Sequence, residues 1–354
     1  MVMTMLPFLS LSLGAIVGSF LNCIIYRLPR SLSLMEPKRS FCPECQHTLH
    51  WCENIPIISW CFLKGKCTHC GTRISCRYPC VEILTSFTFW LCSLKMGFPL
   101  MIVGWIFVSL LIVASFIDLE HLLIPDEITI GGMIAGCMTS FILPQLMGVE
   151  SRWIALCYSL TSALTAYLLL WIILEIGKKI FGKKRLHWKE PLTLELFKDG
   201  EIFFLRLGEE SLPLLELFSR SSDSLRAEAT TCTIAHKEYS SQTLTIDAQH
   251  IAIAGNKWRL DDALPLHAMI TNLTLPREAM GLGDVKFLAC IAAFLGVKGM
   301  LFALFGGSVI GAITGSLLLL ITRGRQGRVL PFGPYLATAG LIWMLWGREL
   351  LNFL

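Results

Sequence analysis

The hydrophobic positions of this chain cluster into long uninterrupted runs separated by polar stretches. The runs lie at residues 6–26, 81–94, 98–117, 128–143, 153–176, 287–297, 299–321 and 329–347. A helix needs about 20 apolar residues to cross the hydrocarbon core of a bilayer. Three of the runs, at 81–94, 128–143 and 287–297, are shorter than this, which leaves their ends open. The pattern predicts an all-α polytopic membrane protein with about eight transmembrane helices.

The first run has two interpretations, a cleaved secretory signal or a retained transmembrane helix. It lacks a basic start and an A-x-A cleavage site, and Asn22 and Arg27 stand at its end. These features favour a retained span.

A different pattern occupies residues 177–275, where charged residues interrupt every apolar stretch. Apolar positions alternate on both sides of Asp199-Gly200, a pair typical of a type I′ hairpin turn. A second candidate pair of strands lies at 243–246 and 250–254. The alternation predicts a small β-rich insert.

These patterns divide the chain into five parts. They are the first transmembrane span (1–28), a polar loop (29–80), spans two to five (81–176), the β-rich insert (177–275) and spans six to eight (276–354).

Lysine and arginine residues predict the orientation of the spans. One set of flanks holds Arg27, Arg30, Lys38, Arg39, Lys178, Lys179, Lys183, Lys184, Arg185, Arg323, Arg325 and Arg328. The opposite loops hold only scattered basic residues, namely Lys95, Arg152, Lys298 and Arg348. The positive-inside rule places the first set in the cytoplasm, together with the polar loop and the insert.

The composition agrees with a membrane protein. Hydrophobic residues make up 54% of the chain and charged residues 16%, against about 25% charged residues in soluble domains. The mean hydropathy is +0.62. The flanks account for the net charge of +4, which therefore does not indicate nucleic-acid binding. The composition therefore predicts the lipid bilayer as a partner.

The polar loop carries a repeated cysteine motif. Cys42-Pro-Glu-Cys45 and Cys67-Thr-His-Cys70 form two CxxC pairs separated by 21 residues. Thiols stay reduced in the cytoplasm, so metal binding is favoured over disulfides. Two CxxC turns supply a closed tetrahedral S4 site suited to structural Zn²⁺. Iron, or a reduced loop without metal, are the alternatives.

Two carboxyl groups stand at the borders of apolar runs, which is a costly place for a charge. Asp118 ends the third run, and Asp284 begins the sixth within Gly-Leu-Gly-Asp-Val-Lys. Two carboxyl groups brought together share a proton, so that one activates water while the other protonates the substrate. This pattern indicates an aspartic peptidase. Helix caps or solvated helix ends are the alternative reading of each residue alone.

Four neighbouring residues are candidates for catalytic support. Gly281 and Gly283 leave room for a substrate backbone to approach Asp284. Asp126 is either a helix cap or a supporting residue, and Lys286 either a snorkelling side chain or a charge partner for Asp284. Glu120 and His121 are lesser candidates of the same kind.

Several motifs together resemble the type IV prepilin peptidase family, the bacterial inner-membrane leader peptidases of type IV pili and type II secretion. They are the first span from Gly14 to Pro29, the CxxC loop, Asn54-Ile-Pro-Ile-Ile-Ser-Trp60, Arg77-Tyr-Pro-Cys-Val-Glu82 and the two aspartate motifs. The resemblance covers 1–176 and 276–354. The family usually has Leu at the position of Cys80, and the insert is a further departure, since Asp118 and Asp284 stand 284 − 118 = 166 positions apart.

The resemblance implies an activity in two steps. Asp118 and Asp284 would be the catalytic aspartates of a multi-pass enzyme of the bacterial inner membrane. It would cleave prepilins or pseudopilins after a Gly at the cytoplasmic face. Members with the zinc loop commonly then methylate the new N-terminus with S-adenosylmethionine. Asn22, Arg77 and Glu82 are candidates to line that second site, although the sequence has no recognisable methyltransferase fingerprint and loop anchoring is the alternative.

Two other functions stay open from the sequence. One is a membrane aspartyl peptidase with another substrate class and no methylation. The other is a non-enzymatic assembly factor or transporter, in which the zinc loop docks a partner and the acids carry protons. Facing aspartates in the fold would favour a peptidase.

Overall fold

A computed structural model describes residues 2–200, 202–218, 223–234, 237–276, 281–321 and 330–353. The chain divides into two compact units. The first contains Met1–Trp171 and Gly281–Leu354, and the second contains Ile172–Met280. The predicted flanking residues Arg323, Arg325 and Arg328 lie outside the described residues.

The first unit is helical. Its helices, with α6 continuing into the second unit, are α1 (Val2–Arg27), α2 (Ile58–Phe62), α3 (Arg77–Lys95), α4 (Leu100–His121), α5 (Asp126–Ile142), α6 (Arg152–Phe181), α7 (Leu282–Ile321) and α8 (Gly333–Phe353).

Four of the described helices are long and apolar enough to cross a membrane, so the chain is a multi-pass membrane protein. These stretches are Leu6–Arg30, Leu100–His121, Arg152–Ile180 and Leu282–Ile321. Helices α3, α5 and α8 lie on the predicted runs 81–94, 128–143 and 329–347, but they are not among the four. The count of eight spans therefore stays a prediction.

Helix α7 is interrupted at Gly296, where φ is 67°. A straight 40-residue helix would measure about 60 Å, twice the thickness of the hydrocarbon core. The contacts of α7 with α8 change direction at the break. They run from Ile291 against Gly340 to Gly299 against Trp343 and then back to Gly307 against Leu336, and Gly315 lies against Leu330, which precedes α8. Helix α7 therefore consists of two arms, and the break at Gly296 falls one residue before the end of the predicted run 287–297.

Two hydroxyl groups stabilise this break. The positive φ at Gly296 interrupts the helical hydrogen-bond ladder, and the carbonyl group of Ala293 accepts hydrogen bonds from Ser159 (2.7 Å) and Ser140 (3.4 Å). The side chains replace a backbone donor that the interrupted helix no longer supplies.

Small residues bring α1 against α3. A Cβ atom on Gly14 would lie 2.6 Å from the Cα atom of Ser86, and one on Gly18 would lie 2.8 Å from the Cα atom of Glu82. Glycine four residues apart lets two helix backbones approach closely. The contact places the end of α1 beside the start of α3.

The second unit contains the predicted β-rich insert. Its strands are β1 (Lys183–Asp199), β2 (Ile202–Leu207), β3 (Glu210–Pro213), β4 (Ser224–Ile234), β5 (Lys237–Asp247), β6 (His250–Ile253), β7 (Asn256–Arg259) and β8 (Leu266–Pro276). They form one antiparallel sheet in the order β3-β2-β1-β8-β4-β5-β6-β7. The all-α class is therefore too narrow, because alternating apolar residues of these strands build a second buried core.

Both predicted strand pairs are present. The first turn lies one residue later than the predicted Asp199-Gly200 pair, because Asp199 pairs with Ile202 as the last residue of β1 and Gly200, with a φ of 61°, is the first residue of the turn. In the second pair, Leu244 of β5 lies opposite Ile253 of β6.

Candidate functional site

Asp118 lies in the last turn of α4, where it is 5% exposed. The helix ends three residues later because Leu122 adopts a left-handed conformation and donates a hydrogen bond from its N–H to the carbonyl group of Asp118. The carboxylate oxygen Oδ2 of Asp118 accepts a hydrogen bond of 2.9 Å from the backbone N–H of Gly333. The first residue of α8 therefore holds Asp118 in place.

Gly333 is a site residue that the sequence reasoning missed. A Cβ atom at this position would lie 2.7 Å from Oδ2 of Asp118, so only glycine lets the N-terminus of α8 come this close. The available signal was Gly333-Pro334 at the start of the last apolar run, since proline is typical of the first turn of a helix.

Asp284 lies in the first turn of α7 and is half-buried. Its carboxyl group interacts with the backbone of Gly281 through a hydrogen bond and electrostatically with Asp118. Its Oδ1 atom is buried and has no hydrogen-bond partner among the described residues. The fold thus brings together two carboxyl groups that stand 166 positions apart in the chain.

The turn after α4 explains how the two helix ends meet. A Cβ atom on Gly283 would lie 3.3 Å from the backbone N of Ile124 and 3.4 Å from its carbonyl oxygen. The start of α7 therefore packs directly on the backbone that follows Asp118. Gly281 is exposed, and a Cβ atom there would lie 3.8 Å from Oδ2 of Asp284. The glycines at 281 and 283 leave Asp284 open on one side and tightly packed on the other.

Lys286 and Asp126 contact each other. The Nζ atom of Lys286 lies 2.6 and 2.8 Å from the two carboxylate oxygens of Asp126. This ion pair joins the first turn of α5 to the first turn of α7. The charge partner of Lys286 in the structure is thus Asp126, and both are exposed enough that the pair contributes little to stability.

A second ion pair lies at the end of α4. The Nη1 atom of Arg77 lies 2.7 and 2.6 Å from the two carboxylate oxygens of Glu120. The pair joins the first residue of α3 to α4, two residues beyond Asp118. The Nε atom of Arg77 and the Nε2 atom of His121 are buried and lack hydrogen-bond partners among the described residues.

A cavity lies between α1, the polar loop and α3, and two of the predicted polar residues line it. Asn22 donates a hydrogen bond of 3.0 Å to the carbonyl group of Tyr78, while its own Oδ1 atom is buried without a partner in the described parts of the chain. Oε2 of Glu82 accepts a hydrogen bond of 2.7 Å from the N–H of Ile57. The aromatic rings of Tyr26, Tyr78 and Trp60 form part of the wall.

Arg27 shapes the same cavity. The side chain is 3% exposed, and its guanidinium group donates hydrogen bonds to four backbone carbonyl groups of the loop. The acceptors are Ser33, Leu34, Pro37 and Arg39. Arg27 therefore folds the beginning of the loop back onto the end of α1. In the sequence it was visible only as a basic flank.

The four cysteines of the two CxxC motifs converge. Their sulfur atoms all lie within 4.8 Å of one another, with 3.8 Å between Cys42 and Cys70 and 4.0 Å between Cys45 and Cys67. A regular ZnS4 tetrahedron with bonds of 2.3 Å has sulfur–sulfur edges of about 3.8 Å. The donor set and its dimensions fit a structural zinc ion.

The two CxxC motifs of this cluster have the same backbone conformation. The N–H group of the first cysteine donates to the carbonyl group five residues later, from Cys42 to His47 and from Cys67 to Thr72. The residue after each motif, Gln46 or Gly71, has a positive φ. Each half is therefore a tight turn that presents two sulfur atoms to one side.

Local hydrogen bonds also affect the thiol groups. Bonding to the side chain and backbone of Thr72 lowers the pKa of Cys70 to about 6. The backbone hydrogen bond at His47 lowers the pKa of Cys45, but desolvation and the other three sulfur atoms outweigh it and raise that pKa to about 12. A metal bound at this cluster would displace the protons of all four thiols.

Two family models match the chain, and the second of them matches on both sides of residues 187–252 within the insert. The Bacterial Peptidase A24 N-terminal domain matches residues 12–96. The Type IV leader peptidase family matches 105–186 and 253–316 and leaves the intervening 187–252 unmatched.

The curated relatives have one description in common. Proteins named prepilin leader peptidase/N-methyltransferase include one from Myxococcus xanthus, which is 40% identical over 49% of this chain and 50% of its own length. One from Aeromonas salmonicida is 27% identical over 98% of this chain and 94% of its own length. One from Dichelobacter nodosus is 28% identical over 94% of this chain and 89% of its own length. No solved structure matches significantly. The paired aspartates, the cysteine cluster and these matches agree, and the chain belongs to the type IV leader peptidase family of membrane aspartic peptidases.

Proposed function

We propose that this protein is a prepilin leader peptidase that cleaves type IV prepilins or pseudopilins after a glycine. The observation that carries the proposal is the meeting of Asp118 and Asp284 at the ends of α4 and α7. Paired carboxyl groups with little access to bulk water are the machinery of aspartic peptidases. The names of the relatives support the substrate class.

The surroundings of the two aspartates suggest different roles. Asp118 accepts the N–H of Gly333 at the N-terminus of α8, where the helix dipole favours a negative charge. Asp118 would therefore be the carboxylate that removes a proton from the attacking water. Asp284 has an unpartnered Oδ1 atom, which suits a protonated carboxyl group that donates to the substrate carbonyl oxygen.

The reaction then follows from these roles. The water oxygen bonds to the carbonyl carbon of the scissile peptide, Asp118 takes a water proton, and Asp284 gives its proton to the carbonyl oxygen. The tetrahedral intermediate collapses as Asp118 protonates the leaving amine and Asp284 regains a proton from the intermediate. The carbon–nitrogen bond breaks and the starting protonation states return.

The open side of Asp284 supports the approach of a peptide substrate. Gly281 is exposed beside the Asp284 carboxyl group, so an extended peptide can approach without meeting a side chain at this position. The glycine preference itself comes from the family resemblance.

We further propose that the cavity between α1, the loop and α3 is the methylation site. S-adenosylmethionine would supply the methyl group there. The negative charge of Glu82 would complement the positive sulfonium group. The unpartnered Oδ1 atom of Asn22 would accept a hydrogen bond from an amino group. Arg77, the third predicted residue, is not among the residues that line the cavity, and its guanidinium group contacts Glu120 of α4.

The zinc ion would have a structural role in this site. Cys42 and Pro43 line the cavity, so the cluster fixes one of its walls. All four ligands are cysteines, which leaves no position for a substrate or a water at the metal. The basic flanks support an inner-membrane location with the loop and both aspartates at the cytoplasmic side.

Mass spectrometry of a prepilin incubated with the purified full-length protein tests both activities. Wild type with S-adenosylmethionine should release the leader and add one methyl group to the new N-terminus. Asp118→Asn and Asp284→Asn should each abolish cleavage but still methylate a substrate that is already cleaved. Cleavage by both variants would refute the assignment of the aspartates. Cleavage without methylation by wild type would refute the second activity alone.

A further inference from the structure

A group of large apolar side chains on the polar loop has no role in either proposed site. Trp51, Ile58 and Phe62 are 80%, 54% and 82% exposed. Trp51 begins a short 3-10 helix (Trp51–Asn54), and Ile58 and Phe62 lie on the outer face of α2. The inner face of α2 is packed, since Ser59 is buried and Trp60 lines the cavity. One face of α2 is therefore packed against the protein, and the opposite face is exposed.

A hydrogen bond fixes the position of this apolar group relative to α3, which packs at Glu82 against Gly18 of the candidate membrane span Leu6–Arg30. The N–H of Ile57, directly before α2, donates to Glu82 at 2.7 Å. Glu82 is five positions after Arg77, where α3 begins, which corresponds to about 7.5 Å along the helix axis. Helix α2 thus lies beside the second turn of α3 and does not extend away from the bundle into solution.

The charges next to α2 suit a bilayer surface. Lys64 and Lys66 follow Phe62 and are both exposed. Tryptophan and lysine are favoured at membrane interfaces, where aromatic rings sit among the headgroups and basic side chains contact anionic lipids. The loop is also connected at its N-terminal end to Leu6–Arg30, a candidate membrane helix.

We infer that the group formed by Trp51, Ile58 and Phe62 is a membrane-interface anchor. These side chains insert among the lipid headgroups, with Lys64 and Lys66 at anionic headgroups. The anchor holds α2 at a fixed depth, and Trp60 on the opposite face of α2 is held at the cavity wall. The inference rests on the multi-pass membrane character of the chain and is independent of the proposed reactions.

Lipid quenching in the full-length protein tests the anchor. A fluorescent non-natural amino acid replaces Phe62, or Trp51 in a second variant, and the protein is placed in nanodiscs whose lipids carry bromine near the headgroup. The matched control carries the same label at Leu215, which is 63% exposed in the β-rich insert. Quenching at positions 51 and 62 should be at least threefold stronger than at 215. Zinc content checks that each variant keeps its loop folded.

The lysines supply a second, independent measurement. The double change Lys64→Ala with Lys66→Ala should reduce quenching at position 62 in anionic nanodiscs and leave it unchanged in neutral ones. Equal quenching at 62 and 215 would overturn the inference. Protection of position 62 that requires a second copy of the chain, or that starts only when prepilin is added, would overturn it in favour of a protein partner.

Discussion

Replacement of Gly333 by alanine tests whether the N-terminus of α8 supports the charge of Asp118. The added Cβ atom would lie 2.7 Å from Oδ2 of Asp118, 3.1 Å from Cδ1 of Ile124 and 3.3 Å from Cγ of Asp118. Contacts this short force the carboxyl group or the helix to move by several tenths of an ångström. The hydrogen bond of 2.9 Å from the Gly333 N–H is then lengthened or lost.

The size of the effect follows from that hydrogen bond. Hydrogen bonds to charged groups contribute about 1.5–3 kcal/mol, and each 1.36 kcal/mol changes a rate by about tenfold. Gly333→Ala should therefore lower kcat for leader cleavage by about 10- to 150-fold. The rate is measured with full-length protein in nanodiscs and a purified prepilin, by mass spectrometry of the released leader.

A matched control separates this effect from a general disturbance of α8. A Cβ atom on Gly340, two turns along the same helix, would meet Ile291 at 3.4 Å, an ordinary contact. Gly340→Ala should cleave at nearly the wild-type rate, and both variants should methylate a cleaved substrate normally. Cleavage by Gly333→Ala within about twofold of wild type would refute the reasoning.

Three other substitutions test the cysteine cluster, the proposed methylation site and the ion pair of Lys286 separately. Cys42→Ser should remove zinc, measured by elemental analysis, and should loosen the loop to proteolysis before it affects cleavage; wild-type protein without zinc or iron would contradict this. Glu82→Gln should lower methylation by about tenfold, equivalent to about 1.4 kcal/mol, and leave cleavage unchanged, whereas equal loss of both activities would disprove a separate site. Lys286→Met should lower stability by less than about 1 kcal/mol, because its pair with Asp126 is exposed; complete loss of cleavage would instead place Lys286 in the reaction.

Motifs in which the residue type itself specifies the chemistry could be interpreted from the sequence. The four cysteines could be grouped because two CxxC turns commonly bind one metal ion, and the structure brings their four sulfur atoms within 4.8 Å of one another. Asp118 and Asp284 could be selected because a carboxyl group at the edge of an apolar run is energetically costly and therefore indicates a functional site. The β-rich insert could be recognised because alternation is a local property of the chain.

Contacts made by backbone atoms, or by the pairing of distant residues, could not be predicted in this way. Gly333 acts through its N–H and its missing side chain, and nothing local in the sequence says which carboxyl group it meets. Lys286 has two carboxyl groups in its neighbourhood, and only the fold selects Asp126 over Asp284. Arg27 resembles any basic residue at the end of a span until its four carbonyl acceptors are known.

The arrangement of α3 and α4 places the two proposed sites next to each other. The start of α3 carries Arg77 and, five residues later, Glu82 of the cavity, while the end of α4 carries Asp118 and Glu120. The ion pair between Arg77 and Glu120 joins these two helix ends. If the proposed peptidase assignment holds, a peptide cleaved at the aspartates would have its new amino group released close to the helix that forms the cavity wall. A sequential reaction would require only that this end of the substrate passes the ion pair between Arg77 and Glu120.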